Sequence, residues 1–138
     1  PYMKNYKGKS FIVIMIVIAI SALLLRIAIE QFVKINIEQN QSNAQATLKL
    51  ISTALENFAK GNHGSFPARF SVLTEKSSRY LDKDYVAQSP VKGYNYACSK
   101  IDPNGYNCTA LPVICNLTGK LSYVVSTGGL FISEECNK

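Results

Sequence analysis

The chain has 138 residues, 47% of them hydrophobic, and a formal charge of +6. That length suits one compact domain plus an appendage. Lys4, Lys7 and Lys9 precede a dense apolar block, while from Gly61 onward eight basic residues face six acidic ones, so the high pI belongs to the N-terminal part and is weak evidence for nucleic-acid binding.

The stretch KGKSFIVIMIVIAI (Lys7–Ile20) is basic, then apolar without a break. Lysines ahead of an apolar run hold an N-terminus in the cytoplasm. Phe11 to Leu25 carries no charge and no proline, and the apolar character runs on past Arg26 to Ile29. Those 19 residues, as a helix, span roughly 28 Å, about one bilayer core. A cleaved secretion signal has a shorter apolar region followed by small residues. Here Leu23–Leu24–Leu25–Arg26 follows, so the segment is expected to stay on the mature protein.

The helical pattern continues beyond the span. Phe32 and Ile35 extend it, and Ala44, Leu48, Ile51, Leu55 and Phe58 recur at spacings of four and three. That is one apolar stripe with polar residues opposite. Asn36–Asn43 is polar and helix-neutral, so a loosening is expected there. Lys60–Gly61, with Pro67 soon after, reads as a stop. The expectation is one long helix from Ser10 to about Lys60, its first half apolar all round and its second half amphipathic.

After Gly61 one short helix is expected over Val72–Tyr80, with Ser71 as cap and Glu75 near its first turn. Beyond Pro90 the signals are for strands. Tyr94–Lys100 and Tyr106–Leu111 flank the turn Asp102–Pro103–Asn104–Gly105. Asn116–Gly119 is a second turn. Leu121–Ser126 and Leu130–Glu134 flank Thr127–Gly128–Gly129, a hairpin connection. The expected fold class is α+β: a long N-terminal helix packed on a small antiparallel sheet of about four strands. Tyr94, Tyr96 and Tyr106 read as residues of the sheet surface, with a partner-binding face as the alternative.

Cys98, Cys108, Cys115 and Cys136 all lie in the last third. An even number behind a membrane-directed segment points to disulfides in an oxidising compartment. Free core thiols are the alternative, and a zinc site would need tighter ligand pairs. Cys98 and Cys108 lie on the two arms of one hairpin and Cys115 and Cys136 bracket the other. The most local of the three pairings is therefore Cys98–Cys108 with Cys115–Cys136.

Catalytic chemistry has little to stand on. His63 is the only histidine and sits in a turn, so no Ser–His–Asp or Cys–His set is available. Gly61 and Gly64 read as helix-stop glycines, not a phosphate loop. Asp82 and Asp84 read as a solvated loop. Asp102 and Asn104 offer calcium a single carboxylate, which is too few. No enzyme, metal or cofactor is expected.

The layout resembles type IV pilins and the pseudopilins of type II secretion. Gly8 lies just before the apolar block, with MIVIAI (Met15–Ile20) seven residues after it, the spacing of the family's leader-peptidase site and helix. Ala28–Ile29–Glu30–Gln31–Phe32 occupies the place of the family's Ala-Ile-Pro segment. ATLKLISTALENFAKGNHGSFP (Ala46–Pro67) looks like the family's helix end, running through an Asn/Gly-rich turn to an aromatic residue and proline.

The resemblance implies cleavage after Gly8, with Lys9 becoming the N-methylated first residue. Taking Met3 as the start leaves a very short leader. The implied organisation is a basic leader (1–8), a transmembrane and polymerisation helix (9–30), an amphipathic extension (31–60) and an extracytoplasmic, disulfide-stapled sheet domain (61–138). Polymerisation would run through Phe11, Val13, Met15, Arg26 and Glu30. The sequence departs from the family at three places: Lys9 replaces the usual Phe, Val13 the usual Glu, and Glu30 a proline. A register starting at Phe11 puts Met15 in the Glu position and restores no carboxylate. In the family that Glu neutralises a neighbour's amino terminus, and a subunit lacking it suits a filament tip. Glu30 can pair with Arg26 one turn away or with a neighbour's Arg26; Arg26 can instead snorkel toward head groups.

The implied function is a structural subunit, minor or at the tip, of a type IV pilus or type II secretion pseudopilus. Its partners would be further copies of itself, a prepilin peptidase, an inner-membrane platform, an assembly ATPase, and membrane lipid before assembly. It would sit in the inner membrane first and in a periplasmic or extracellular filament afterwards. DNA or a secreted substrate is not indicated by any residue. The alternative is a non-polymerising bitopic protein presenting a small ligand- or DNA-binding domain.

Overall fold

The computed structural model describes residues 2–75 and 79–137, with side chains from Ser10 onward. The chain forms two compact units, Pro1–Ile35 and Asn36–Lys138. Helix α1 (Tyr2–Gly61) supplies all of the regular structure of the first and one layer of the second. It begins well before the expected Ser10. No proline precedes Ser10 except Pro1, and a lone Gly8 costs a helix only about 1 kcal/mol.

In the second unit α1 buries Ile37, Ala44, Leu48, Ile51, Ala54, Leu55 and Ala59. At 100° per residue Ile37 lies about 20° from Ala44 around the axis, whereas Ile35 lies about 180° away and Phe32 about 120°. Phe32 and Ile35, expected on the stripe, are accordingly exposed. Nor does the helix loosen across Asn36–Asn43. Ile37 anchors one side there. The Asn40 Nδ2 donates to the Thr118 carbonyl at 3.0 Å, and the Gln41 Oε1 accepts from the Lys120 N–H at 2.8 Å. Side-chain amides with partners on the sheet no longer compete with the helix backbone.

The helix ends without a glycine in the left-handed position. His63 takes it, with φ of 59°, followed by Gly64 at 82°. The Gly64 N–H closes on the Ala59 carbonyl at 2.7 Å and the Asn62 Nδ2 on the Phe58 carbonyl at 2.7 Å. This reciprocal closure satisfies carbonyls that the last turn leaves open. The helix expected over Val72–Tyr80 is instead a 3-10 helix, Phe70–Thr74, with Arg69 and not Ser71 at the cap position. Residues 76–78 of that expectation lie outside the described residues. The short helix buries Phe70 and Leu73, and a single tight turn suffices for two anchors three residues apart.

The sheet is an antiparallel meander in the order β1 (Tyr94–Asp102), β2 (Gly105–Pro112), β3 (Leu121–Ser126), β4 (Leu130–Glu135). Before it, Val91 and Tyr94 exchange backbone hydrogen bonds around Lys92 and Gly93. Both central residues have positive φ, 48° and 82°, the geometry of a tight hairpin turn. The free edge of β1 is covered at Tyr96, whose N–H donates to the Ser89 Oγ at 2.8 Å.

The tyrosines are core rather than surface. Tyr94, Tyr96, Tyr106 and Tyr123 are all buried. Alternation puts Tyr94 and Tyr96 on one face of β1, and that face looks at the helix. Ala44, Ala54 and Ala59 on α1 leave room for rings. Phe66 meets Tyr106 edge-on at 5.2 Å, and Tyr123 lies between Tyr94 (6.1 Å) and Phe131 (5.7 Å). Two disulfides, Cys98–Cys108 and Cys115–Cys136, hold the sheet. The first joins residues directly opposite on β1 and β2. The second ties the β2–β3 connection to the chain just after β4.

Candidate functional site: an apolar helical span and a hydrogen-bonded head

In the first unit α1 is long and apolar enough to cross a membrane, and that window has no buried residue. Phe11 is 66% exposed, Val13 56% and Met15 57%. An apolar surface of this size around a whole helix is unstable in water and calls for lipid or other helices. The Arg26 Nε and Glu30 Oε1 are 3.7 Å apart, a pairing one turn along the helix. Two opposite charges so placed lower the cost of each in an apolar medium. Gly8 and Lys9 belong to α1 by backbone; their side chains are outside the described residues.

In the second unit a polar cluster locks the β3–β4 hairpin onto α1. The Tyr106 hydroxyl donates to the Glu56 Oε1 at 2.8 Å. Having given up its one proton, it accepts from the Ser52 hydroxyl at 3.0 Å and from the Gly129 N–H at 3.2 Å. Glu56 takes a second bond from the Gly128 N–H at 2.8 Å. Thr127 closes the ring by accepting from the Tyr106 N–H at 2.9 Å and donating its own N–H to the Tyr106 carbonyl at 3.1 Å. Burial is the main cause that pushes the Tyr106 hydroxyl above the usual tyrosine range, and the Glu56 carboxylate adds to it while Ser52 opposes it. The hydroxyl thus stays protonated and keeps donating.

A second tyrosine bond braces the other end of the sheet. The Tyr94 hydroxyl donates to the Leu121 carbonyl at 2.6 Å. Gly119 lies against that hydroxyl: a Cβ there would sit 2.6 Å from the Tyr94 Cζ and 2.8 Å from its Cε1. Between these ends the Gln45 Nε2 donates to the Tyr123 hydroxyl at 3.0 Å.

Sequence reasoning missed Asn40, Gln41, Gln45 and Glu56 as helix-to-sheet contacts. Their one signal was position: all lie on or beside the apolar stripe of α1. The acidic residues that suggested chemistry are turn-holders. The Asp102 Oδ1 accepts from the Asn104 and Gly105 N–H groups at 2.8 and 3.1 Å. The Asp84 Oδ1 accepts from the Ala87 N–H at 2.9 Å, and the Asp82 Oδ1 from the Tyr85 hydroxyl at 3.0 Å. Among the described residues no group of three His, Cys, Asp or Glu side chains could hold a metal ion.

The chain is similar to the type IV major pilin protein PilA of Myxococcus xanthus, 30% identical over 109 residues. The match takes in 78% of this chain and 44% of that relative, so the chain spans less than half its relative's length. No protein-family model matches the sequence, and no solved structure matches it. A long N-terminal apolar helix, a four-stranded antiparallel sheet and two disulfides make the fold α+β and pilin-like.

Proposed function

We propose that the chain is a structural subunit of a type IV pilus-like filament, held in a membrane through the first half of α1 and polymerised through the same surface. The observation that carries this is the uninterrupted exposed span, Phe11–Ile29, in a chain similar to a major pilin. Lipid tails and leucine side chains are equally apolar, so hydrophobicity barely separates the membrane state from a bundle of like helices. Packing and a few polar contacts decide between them. Modest work from a cytoplasmic ATPase, acting through a membrane platform, then suffices to move a subunit from one to the other. Head-to-tail contacts that do not close on themselves build a filament.

The finer reading is a minor or tip subunit, in a pilus or a secretion pseudopilus. Val13 stands where the family carries the carboxylate that meets a neighbour's amino terminus, and a subunit at the tip has no neighbour ahead. Cleavage after Gly8 and methylation of Lys9 by a prepilin peptidase belong to the same proposal, as do the division at 8, 30 and 60 and polymerisation through Phe11, Val13, Met15, Arg26 and Glu30.

Mass spectrometry of the protein recovered from sheared surface filaments tests it. The expected species begins at methylated Lys9 and is found in the filament fraction at low abundance relative to a main subunit. Recovery only in the membrane fraction with an intact leader would overturn it in favour of a bitopic protein that presents its head without polymerising.

A further inference from the structure

The sheet has two edges, and β4 (Leu130–Glu135) forms the one that Ser89 does not cover. Its register against β3 is continuous, with no bulge and no proline. Leu130 is 60% exposed and Ile132 44%, and Ser133, Glu134 and Glu135 are exposed as well. One bond fixes which backbone groups face away from the sheet. The Cys136 N–H donates to the Lys120 carbonyl at 2.8 Å. In an antiparallel ladder, successive residues direct their backbone groups to opposite sides. Glu134, Ile132 and Leu130 therefore serve β3, while Glu135, Ser133 and Phe131 direct N–H and C=O outward. Among the described residues these outward groups find no hydrogen-bond partner. Edges are usually blunted by lysines, a proline or a bulge; β4 has only the charges of Glu134 and Glu135, both at one end.

The edge is bipolar. Near its start the Lys49 ammonium stands 5.7 Å from the centre of the Phe131 ring. Lys49, Lys60, Glu56 and Phe131 line one open trough of about 460 Å³ between β4 and α1. At the far end Glu134 adjoins Glu135, which shares a second trough with Lys120. Among the described residues each end thus keeps one unit of charge in excess, positive beside Phe131 and negative beside Glu135. A strand edge charged oppositely at its two ends is complementary to itself run backwards. A parallel neighbour would set like ends together. An acidic or a basic peptide would match one end and oppose the other.

We infer that the β4 edge pairs with the β4 edge of a second copy, antiparallel about a twofold axis at Ser133. That register sets Ser133 against Ser133 and Phe131 against the second copy's Glu135, and it pairs every outward backbone group. Residues directly opposite share a face, with Cβ atoms about 4.5–5.5 Å apart. The second copy's Glu135 therefore enters beside Phe131, within reach of the Lys49 ammonium. Symmetry repeats this ion pair at the other end. On the outer face Ile132 lies along the aliphatic stem of the second copy's Glu134. The contact closes at two copies and cannot propagate, so it is separate from any assembly through the span. Two short strand edges fall in the small, transient class of interface, below about 1,200 Å², so the pairing is reversible.

Sedimentation of the full chain in nonionic detergent, over a range of protein concentration, tests this. The parent is expected to form a dimer that dissociates on dilution and weakens as salt rises. Lys49→Glu and Glu135→Lys each turn both ion pairs into like-charge contacts and should weaken the dimer by about tenfold or more. The two changes together restore the pairs and should recover the parent's affinity. Ser133→Pro removes an N–H that the head does not use, at an edge position where proline is tolerated, and should abolish the dimer. All three side chains are exposed, so the near-ultraviolet tyrosine melt of each variant should stay that of the parent. A parent that stays monomeric overturns the proposal, and binding of a synthetic acidic strand peptide to that monomer would give the edge to a different protein. Association unchanged in every variant places the contact on the span and overturns it too. Loss in both single charge variants without recovery in the double overturns the pairing.

Discussion

Replacing Tyr106 with Phe removes one oxygen and leaves the ring in contact with Phe66. That oxygen makes three bonds, to Glu56, Ser52 and the Gly129 N–H. The bond to the carboxylate is charge-assisted, and losing one of that kind costs about 1.5–3 kcal/mol. Ser52, only 7% exposed, loses its partner but can turn to a carbonyl of its own helix, which offsets part of the loss. Glu56 keeps the Gly128 N–H, so the carboxylate is not stranded. The net expectation is about 2–3 kcal/mol of lost stability in the head. For a domain near one hundred residues that lowers the midpoint by roughly 10–20 °C. The near-ultraviolet tyrosine signal of the full chain in detergent reads it, because the span stays helical and masks the far-ultraviolet change. Glu56→Gln keeps an acceptor for both donors and loses only the charge, so it should cost about half as much. The two changes together should fall short of their sum by at least about 0.5 kcal/mol. A Tyr106→Phe loss below about 0.5 kcal/mol, the range of a surface substitution, would refute the cluster as a lock.

Gly119→Ala drives a methyl into the buried Tyr94 ring and should destabilise the head by about 1–3 kcal/mol, read by the same melt; Gly64→Ala meets no atom within 4 Å and tests the φ cost alone. His63→Gly relieves a non-glycine left-handed residue at the helix end and should raise stability by about 0.5–1 kcal/mol. Burial, the leading cause, raises Tyr85, Tyr94, Tyr96 and Tyr106 above the usual tyrosine value. The unfolded chain therefore loses these protons first as pH rises. Stability should be level below about pH 10 and fall above it by about 1.4 kcal/mol per pH unit for each tyrosine still held neutral. Denaturant melts at a series of alkaline pH values would show a level profile if the rings were solvent-accessible.

Some of this was legible along the chain and some was not, for physical reasons. Leu121–Ser126 was readable to its ends because alternation and flanking turn residues are both local signals. The Tyr94/Tyr96 alternation declared a strand but not which face is inside, since a tyrosine suits either. The three alanines of α1 that admit the rings lie 35 to 52 residues earlier in sequence. Phe32 and Ile35 were misplaced because a stripe read by spacing alone drifts when a polar stretch interrupts it, and Ile37 shows the true phase. Asn40, Gln41 and Glu56 look like solvent-facing helix residues until partners 72 to 79 positions further on arrive. Long-range polar pairing leaves no periodic trace. The short 3-10 helix failed as an expectation because its anchors, Phe70 and Leu73, fit one tight turn as well as three helical ones.

Under the proposed passage of the first half of α1 from membrane to filament, Arg26 and Glu30 bear on how a span can both hold and let go. Each charge at the middle of a bilayer costs about 2.5–3.5 kcal/mol on insertion scales, less near the edge and less again when paired. The pair makes lipid a slightly worse solvent for this helix than an uncharged span would find it. In a bundle, the same two groups could exchange their mutual bond for bonds to charged groups of neighbouring subunits at little cost, where those subunits supply them. Arg26→Leu with Glu30→Leu should therefore bind lipid more firmly and leave it less readily. The expected outcome is a shift of the protein from sheared filaments to the membrane fraction, with the head melting unchanged. Glu30→Leu alone strands Arg26 in both states and should lower the total protein recovered. Equal filament recovery for the double variant and the parent would show that the pair has no part in release, and that packing of the apolar side chains alone decides between membrane and filament.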